Sequence, residues 1–395
     1  MAKRKNSGNL LKNVVTCLCL AVVGLAVGLV APFYALSNQF EAVITTDVLT
    51  TTTEVFYSKT EGEDVNFVQT SEDLSIHFLE LGNKYTGDCT FIKVNNVDIL
   101  IDCGSKSSSI ATVANYLNNY VTDGKLEYVI VTHAHQDHYA GFATTKVNTI
   151  FDLYQCENII TFAKTNQKET ASLYSAFKSE LQDEINNGAN HFTALDCYNN
   201  QNGAQREYNL ASGVTLEILY HKFYEETAST ENDYSVCVMI NQGERKFLFT
   251  GDLEEEGEES LAETYAKDHG VTSVDVEVYK AGHHGSKTST SNSLLNVFHP
   301  KVCAVCCCAG SSEYTKTNAN QFPTQDFINR IAPYTDKIYV TTLCIDYKNN
   351  EFTSLNGNIV VLCKTDVTVS CTNNNTLLKD TDWFKNNRTK PSCWE

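Results

Sequence analysis

The chain has 395 residues, of which 42% are hydrophobic and 20% are charged, and its formal net charge is −18 at pH 7. This length and composition suffice for one large α/β domain with a substantial core. A protein that grips duplex nucleic acid through its phosphates needs a basic face, so the acidic balance argues against tight, nonspecific binding of duplex DNA. A small anionic ligand, or a strand delivered by a partner, is not excluded.

The segment 1–37 has the pattern of a membrane anchor or a signal peptide. Four basic residues precede an uncharged, mostly apolar run over residues 14–36, which can span a hydrocarbon core of about 30 Å. The basic flank predicts a cytoplasmic N-terminus, and the residues around Ser37 resemble a signal-peptidase site. We therefore predict a protein of the cell membrane with an extracytoplasmic catalytic domain, or a secreted protein if the segment is cleaved.

Three further regions follow. Residues 38–73 are rich in threonine and are predicted to form a linker or an extended lead-in. Residues 74–365 are predicted to form the catalytic domain, and the tail 366–395 either docks as a hairpin through its aromatic residues or is disordered. The coarse pattern of the domain predicts strands over 76–81, 89–94, 98–101, 126–131, 214–220 and 246–250, and helices over 108–120 and 172–186.

One loop carries three imidazoles and one carboxylate within six residues, directly after a predicted strand. His133 and His135 are two apart, so on extended backbone they point the same way. Asp137 and His138 follow where the loop is predicted to turn into a helix. Imidazole nitrogen and carboxylate oxygen are the ligands that Zn²⁺ prefers. Each pair can therefore hold one ion, and two ions about 3.5–4 Å apart can share a hydroxide.

Two later strands also end in possible ligands. One runs into Asp252, and another ends in the pair His283 and His284. Strand ends hold side chains rigidly, as a metal site requires. Asp252 is the natural bridging carboxylate, and either His283 or His284 would complete the second ion. Taken alone, Gly-Asp after a strand is typical of a turn, and surface histidines on a polar loop are the alternative to the first cluster.

Together these motifs resemble the metallo-β-lactamase superfamily, and in particular the branch that includes the C-terminal domain of ComEC-type DNA-uptake competence proteins. The resemblance covers about residues 74–362. It implies an α/β fold, a four-layer αββα sandwich, with a dinuclear site at one edge of the two sheets. It further implies two divalent ions, Zn²⁺ or Mn²⁺. The resembling stretches contain Gly87-Asp88, Asp102-Cys103-Gly104, the histidine loop, Asn232-Asp233-Tyr234-Ser235, Thr250-Gly251-Asp252 and Lys280 to Ser289.

The resemblance also assigns roles. His133 and His135 would hold the first ion, Asp137 and His138 the second, with Asp252 between them and the His283/His284 pair supplying the last ligand. Asp137 would also act in catalysis, by orienting the attacking water or accepting its proton. Asp102 would orient a ligand through a hydrogen bond, although a turn carboxylate between a strand and a helix is an equal alternative.

Two positions depart from the family pattern. Many members have a further histidine for the first ion, and the candidates here are His191 and His221, of which His221 is better placed because it follows a predicted strand. A histidine on a polar loop is the simpler interpretation of each. Related sequences tend to carry histidine before a proline where this chain has Phe322, and phenylalanine neither binds metal nor donates a proton.

Four residues are candidates for substrate binding. Ser286 and Lys287 lie near a predicted helix N-terminus that would favour an anionic group such as a phosphodiester, although plain capping explains the hydroxyls equally well. Asn232 and Ser235 either contact substrate or close a turn. The fifteen cysteines are predicted to be mostly free thiols that pack as small hydrophobes.

The predicted function is hydrolysis by a hydroxide bound to two metal ions, and the resemblance makes a phosphodiester of nucleic acid or nucleotide the best substrate class. A choline-phosphate or cell-wall ester is the nearest alternative substrate. A different alternative is a membrane-attached accessory or binding protein of a DNA-uptake system with a degenerate site. The absent third histidine and Phe322 favour that alternative.

Overall fold

Two eight-stranded β-sheets dominate the computed structural model, which describes residues 73–144 and 146–394. The predicted anchor and nearly all of the predicted lead-in lie outside the described residues. Within residues 73–394, no helix is long and apolar enough to cross a membrane.

The first sheet has the order β18-β17-β1-β2-β3-β4-β5-β6. Its pairs are antiparallel from β18 to β3 and parallel from β3 to β6. Because parallel neighbours end at the same edge, β3 and β4 deliver their C-terminal residues to one place. The strands are β1 (Leu74–Phe78), β2 (Thr90–Val94), β3 (Val97–Ile101), β4 (Lys125–Val131), β5 (Gln155–Thr161), β6 (Asn190–Thr193), β17 (Ile359–Cys363) and β18 (Val367–Cys371).

The second sheet has the order β16-β15-β14-β12-β10-β9-β8-β7. Strands β10 and β12 are parallel neighbours, so their C-terminal ends also lie side by side. A separate parallel ribbon pairs β11 with β13. The strands are β7 (Glu207–Ala211), β8 (Val214–Leu219), β9 (Cys237–Gln242), β10 (Arg245–Phe249), β11 (Val274–Val276), β12 (Val278–Lys280), β13 (Phe298–Pro300), β14 (Cys303–Ala309), β15 (Ile338–Asp346) and β16 (Glu351–Ser354).

The helices cover the outer faces of the sheets. The long, amphipathic helix α4 (Ser172–Asn186) begins and ends as the sequence predicts. The predicted helix 108–120 starts as a 3-10 turn and is α-helical only over α1 (Ile110–Leu117). The α-helices are α1 (Ile110–Leu117), α2 (Gln136–Tyr139), α3 (Ile150–Leu153), α4 (Ser172–Asn186), α5 (Ala194–Tyr198), α6 (Glu255–His269), α7 (Asn292–Val297), α8 (Gln325–Ile331) and α9 (Asp382–Asn387).

The main apolar core lies between the two sheets. Phe78 of the first sheet and Phe249 of the second have ring centroids 6.2 Å apart, and both are buried in one cluster. A second cluster fills the space between the other face of the second sheet and α6, α7 and α8. On the outer face of the first sheet, Tyr116 of α1 hydrogen-bonds His77 of β1 at 2.7 Å. The layers are therefore helix, sheet, sheet, helix, and the predicted α/β sandwich is confirmed.

Strand β14 explains much of the cysteine content. All seven of its residues are buried, because it lies in the middle of the sheet with core on both faces. Four of the seven are cysteines, and Cys303 and Cys306 pack as core residues rather than as a metal motif. The cysteines of the described residues are unpaired, as the sequence predicts.

The tail completes the first sheet. Strand β18 pairs antiparallel with β17, so the predicted boundary between residues 365 and 366 falls inside a hairpin. Helix α9 follows, and Phe384 and Trp394 are buried. The Trp394 indole Nε1–H donates to Ala332 O at 3.2 Å. The aromatic residues of the tail therefore dock it against α8, in the first of the two predicted states.

The burial of His77 in the first sheet can be tested through the pH dependence of stability. Burial, helped by the charge of Lys93, lowers the pKa of His77 to about 3, whereas the unfolded chain binds a proton below about pH 6.5. The native state keeps this ring neutral, so we expect the free energy of unfolding to fall as the pH drops from about 6.5 toward about 3. The His77 share has a slope of at most about 1.4 kcal/mol per pH unit. Urea unfolding of wild type and His77→Gln across this range should show the shallower pH dependence in the variant, and equal slopes would contradict the assignment.

Candidate metal centre

Four strand ends meet at one edge of the sandwich. Strand β3 leads to Asp102 and β4 to the histidine loop, while β10 leads to Asp252 and β12 to the His283/His284 turn. Backbone hydrogen bonds join these loops directly. Cys103 N–H donates to His138 O at 2.7 Å, and His283 N–H donates to Gly251 O at 3.2 Å. The candidate ligands are thus carried on backbone that the sheets hold in place.

Three buried residues form the centre of the site, which we call the ligand cup: His138, Asp252 and His284. Their side chains are 2% exposed or less. Asp252 Oδ2 lies 3.2 Å from His138 Nε2 and 3.3 Å from His284 Nε2. Both Nε2 atoms and Asp252 Oδ1 lack a hydrogen-bond partner. Buried polar atoms are normally paired, so this donor set fits a divalent cation.

Asp88 belongs to the same cluster, since His138, Asp252, His284 and Asp88 offer ligand atoms within 4.8 Å of one another. Its carboxylate, however, lies on the far side of the imidazole, 3.2 Å from His284 Nδ1. It also forms a buried ion pair with Lys280. His284 Nδ1 forms its hydrogen bond with Cys306 O at 2.9 Å, which leaves Nε2 free to face the cup, and Asp88 places a negative charge beside the ring.

The sequence analysis gave Asp88 and Lys280 no role, although both lie in the motifs that carry the family resemblance. A signal was present for Lys280, because it ends a strand whose other residues are apolar. A buried ammonium requires a carboxylate nearby, and the partner lies 192 positions away in the chain. Spacing alone does not identify such a partner.

Asp102 lies where an orienting carboxylate would be needed. Its Oδ2 is 2.8 Å from His138 Nδ1 and accepts a hydrogen bond from the Thr132 hydroxyl at 2.7 Å, while Oδ1 accepts from Thr132 N–H at 2.8 Å. The contact to Nδ1 fixes the ring of His138 so that Nε2 points at Asp252. The two cup imidazoles are thus both hydrogen-bonded at Nδ1, His138 to the Asp102 carboxylate and His284 to the Cys306 carbonyl oxygen.

The charges of the cup reinforce one another. Burial disfavours the charged form of His138, but the carboxylates of Asp252 and Asp102 outweigh it and hold its pKa well above the usual value. His284 behaves alike: burial opposes the charge, and Asp252 and Asp88 raise its pKa. Burial acts against ionised Asp252, yet the neighbouring imidazoles keep its pKa well below the usual range. In the metal-free protein the two cup imidazoles therefore carry protons that offset the carboxylates, and a divalent cation would have to displace those protons to bind.

His133 and His135 form a second pair beside the cup. His133 Nε2 and His135 Nδ1 face each other at 3.0 Å, and the His133 ring centroid is 4.1 Å from that of His138. Burial, followed by the charge of His138, holds the pKa of His133 well below its usual value. The neutral imidazole is the form that ligates a metal.

Ser235 contacts both His133 of this pair and the backbone of Asp252. It is fully buried, its Oγ lies 3.3 Å from His133 Nδ1, and it accepts a hydrogen bond from Asp252 N–H at 3.0 Å. The structure thus places Ser235 between two candidate ligands rather than at a surface that substrate reaches. The sequence left substrate contact or the closing of a turn as alternatives, and Ser235 N–H donates to Asn232 O at 3.1 Å, which closes a turn.

The paired histidines differ in orientation. His284 Nε2 enters the cup, whereas His283 Nε2 is 3.9 Å from Asp252 Oδ2, and its Nδ1 hydrogen-bonds Thr288 at 3.1 Å. Both have positive φ, 45° and 55°, which is uncommon for residues other than glycine. Such strain persists where the surroundings enforce it and concentrates at functional sites. The geometry favours His284 as the ligand.

Asp137 closes the exposed side of the cup. Its Oδ2 lies 3.5 Å from His284 Nε2 and accepts a hydrogen bond from the Tyr314 hydroxyl at 2.9 Å. A Cβ at Gly104 would lie 1.6 Å from Asp137 O, so only glycine lets the β3 loop pass this closely. The sequence analysis did not identify Tyr314, which reaches the site from a loop 177 residues away.

Several predicted candidates lie outside the cup. The His221 ring is buried, with Nε2 2.8 Å from Ser235 O and its centroid 4.1 Å from that of Tyr224. His191 hydrogen-bonds Thr161 at 2.9 Å. Neither joins the cluster of possible ligands found among the described residues, and that cluster contains neither His133 nor His135.

The candidate substrate residues form a supporting network around the cup. Asn232 Nδ2 donates to Glu254 Oε1 at 2.9 Å. Ser286 is buried and its Oγ is 3.1 Å from Thr288 Oγ1, while Lys287 is exposed. The predicted helix cap comes from Ser291, which accepts a hydrogen bond from Leu294 N–H.

Two buried carboxylates brace the ligand loops. Glu231 accepts hydrogen bonds from Ala134 N–H and Asn166 N–H, at 3.2 and 2.6 Å, and so fixes the backbone between the first two histidines. Glu258 accepts from Thr290 and Ser291 N–H, both at 2.7 Å. Glu255, Glu256 and Glu259 at the start of α6 are exposed, and Glu258 is the exception because it is fully buried.

The chain belongs to the metallo-beta-lactamase superfamily. The family's sequence model, described as Metallo-beta-lactamase superfamily, matches residues 82–308. This stretch contains the cup, both flanking carboxylates and the first histidine pair.

Among curated proteins the chain is similar to Recombination protein 2 of Haemophilus influenzae, with 27% identity over 271 residues, which are 67% of this chain and 28% of that protein. It is also similar to ComE operon protein 3 of Bacillus subtilis, with 24% identity over 57% of this chain and 25% of that protein. Competence protein ComA of Neisseria gonorrhoeae is 33% identical over 33% of this chain and 17% of that protein. The chain thus spans about a quarter of the length of the first two relatives.

Among solved structures, the metallo-beta-lactamase fold protein YhfI from Bacillus subtilis aligns with a TM-score of 0.37 and 10% identity, over 74% of this chain and 100% of that one.

Proposed function

We propose that the chain is a metal-dependent hydrolase of phosphodiesters, acting on nucleic acid or nucleotide outside the cytoplasm. The observation that supports this most is the ligand cup itself. Two imidazole Nε2 atoms, each on a ring that is hydrogen-bonded at Nδ1, face Oδ2 of Asp252, and neither Nε2 atom nor Asp252 Oδ1 has a hydrogen-bond partner.

The residues present fit two divalent ions, Zn²⁺ or Mn²⁺. His138, His284 and Asp252, with Asp137 at the open side, would hold one ion. His133 and His135 would hold the other, with Asp252 shared between the two. When bound, such ions polarise a phosphoryl oxygen and lower the pKa of water toward neutrality.

The protein's own groups would position the reactants. Burial opposes the charge of Asp137, but His284 and His138 hold its pKa below the usual range. It is therefore ionised at neutral pH and can accept a hydrogen bond from the attacking water. Asp102 and Cys306 O keep the cup imidazoles in place through hydrogen bonds to Nδ1, and the buried surroundings strengthen these contacts and the attraction between Asp88 and the His284 ring.

The diester is preferred on two grounds. The similar curated proteins are named for recombination and competence, and nucleic acid is the polymer that such names imply. The cup also lies at one edge of the sandwich beside Tyr314, which is 57% exposed, and an internal linkage of a flexible strand would approach it from that side.

One observation favours a second candidate function, an accessory or binding protein of a DNA-uptake system. The ring of Phe322 lies 5.7 Å from the His283 ring and 6.0 Å from the His284 ring, centroid to centroid. It covers the cup with a group that cannot exchange protons. Together with the two-histidine half-site, this would suit a site that binds without turnover.

A substrate panel distinguishes these functions. The full chain is stripped with a chelator, reloaded with Zn²⁺ or Mn²⁺, and offered bis-p-nitrophenyl phosphate, p-nitrophenyl phosphate, p-nitrophenyl phosphorylcholine and a chromogenic lactam. We expect metal-dependent hydrolysis of the diester, faster than that of the other compounds. Preferred cleavage of the phosphorylcholine would support the cell-wall alternative, and no cleavage of any compound would support the accessory role.

A further inference from the structure

A cluster of tyrosines and lysines, the tyrosine–lysine rim (Lys84, Tyr85, Lys106 and Tyr347), lies on the loops that border the cup. The Tyr85 and Tyr347 rings meet edge to face with centroids 6.3 Å apart. Lys84 Nζ is 4.2 Å from the Tyr347 ring centroid, and Lys106 Nζ is 4.5 Å from that of Tyr85. These side chains come from three distant parts of the chain, so the cluster exists only in the folded protein.

The rim is joined to the cup by short pieces of backbone. Tyr85 lies two positions before Gly87, and Lys106 lies two positions after Gly104. Both glycines pack against the backbone of Asp137, since a Cβ on either would lie within 3.0 Å of Asp137 O. Thr86 N–H donates to Glu313 Oε2 at 2.9 Å. The next residue along, Tyr314, donates to Asp137. The rim and the metal ligands are thus parts of one surface.

The four rim residues are partly buried, and two large side chains close to them are exposed. Tyr314 is 57% exposed although its hydroxyl is engaged, and Ile345, two residues from Tyr347, is 58% exposed. Lys84 Nζ donates a hydrogen bond to Tyr347 O at 2.8 Å, and among the described residues no carboxylate oxygen forms an ion pair with Lys84 or Lys106. Exposed aromatic and aliphatic groups beside cations mark binding sites more often than plain surface.

We propose that the tyrosine–lysine rim and Tyr314 bind the bases and phosphates of single-stranded nucleic acid on either side of the scissile linkage, an inference that rests on the proposed function. Tyrosine faces stack on unpaired bases with little sequence preference, and ammonium groups neutralise neighbouring phosphates. Duplex DNA hides its base faces, so the rim selects single strands. This selection also agrees with the acidic net charge, because a few local cations suffice for a short strand.

Direct binding in the presence of a chelator tests the rim without turnover. The probe is a fluorescein-labelled oligothymidylate, followed by anisotropy with the full chain, beside an abasic strand of the same length. Wild type should bind the thymidylate more tightly than the abasic strand. Tyr85→Leu and Tyr347→Leu should each weaken thymidylate binding by about 5- to 100-fold and abolish the preference over the abasic strand.

The lysines are tested by salt dependence, which a purely structural role would not alter. Lys106→Gln should reduce the slope of log affinity against log salt concentration by about 0.7 for a single strand. The matched control is Tyr334→Leu with Lys337→Gln, at the opposite end of the nine-residue strand β15, roughly 30 Å away. The control should bind like wild type, and circular dichroism should show that all variants are folded.

Three results would overturn the proposal: unchanged thymidylate affinity in both tyrosine variants, equal wild-type affinity for thymidylate and abasic strands, or stronger competition by a polyol-phosphate polymer than by the oligonucleotide. Hydrolysis of bis-p-nitrophenyl phosphate is scored separately. Rim-dependent binding without diester hydrolysis would support nucleic-acid binding by the rim and contradict the proposed hydrolase function. Hydrolysis without rim-dependent binding would support the hydrolase function and contradict the proposed role of the rim.

Discussion

Replacing Asp252 with alanine is expected to release bound metal and to lower the rate of diester hydrolysis by about 10³-fold or more. Asp252 is the one carboxylate that both cup imidazoles face, at 3.2 and 3.3 Å. A metal ion contributes several kcal/mol of transition-state stabilisation, and each 1.36 kcal/mol corresponds to about tenfold in rate. Elemental analysis after dialysis, with steady-state hydrolysis of bis-p-nitrophenyl phosphate, gives both quantities.

The matched control is Asp275→Asn, which removes a carboxylate from an exposed position on β11, with a side chain 69% exposed. This variant should keep the wild-type metal content and rate. An Asp252→Ala protein that retained full metal content and at least a tenth of the wild-type rate would show that the ions bind elsewhere.

Replacing Lys280 with methionine is expected to destabilise the metal-free protein by about 3–5 kcal/mol, the effect of leaving one partner of a buried ion pair uncompensated. Lys280 is 3% exposed and its partner Asp88 is 2% exposed. Methionine keeps most of the volume of the aliphatic stem, so the loss is chiefly electrostatic. Urea unfolding measures the effect as a lower midpoint with an unchanged slope.

The double variant Asp88→Asn, Lys280→Met separates charge from packing. Because it also removes the charge of Asp88, which Lys280→Met leaves buried without its partner, it should recover most of the stability that Lys280→Met loses. Its metal affinity should still fall by about 10- to 100-fold, the usual cost of losing a charged group that contacts a metal ligand. A double variant as unstable as Lys280→Met would place the defect in packing and not in the ion pair.

The sequence predicted those features that depend on short spacing. The histidine loop, Gly251-Asp252 and the His283-His284 turn each follow an apolar strand, and strand ends in a two-sheet sandwich collect at one edge. The residues of the cup were therefore among the predicted ligands. The sequence did not determine whether His283 or His284 is the ligand. Both residues have positive φ, and only the conformation of the turn shows which ring enters the cup.

The supporting residues were not predictable in the same way. Glu231, Glu258 and Tyr314 act on loops that are distant in the chain, and nothing within a few residues of each indicates its partner. The third histidine is a different case. His221 follows a strand as predicted, but the ring turns to Ser235 O and the Tyr224 ring, a contact that only the packed sheet reveals.

A crystal structure of the full chain grown with Zn²⁺ or Mn²⁺, with anomalous-difference maps at the metal edge, tests the central claim most directly. The account predicts a strong peak in contact with His138 Nε2, His284 Nε2 and Asp252, and a second beside His133 and His135. Well-ordered crystals with the cup intact but no anomalous peak at these atoms, or with the only peak elsewhere, would contradict it.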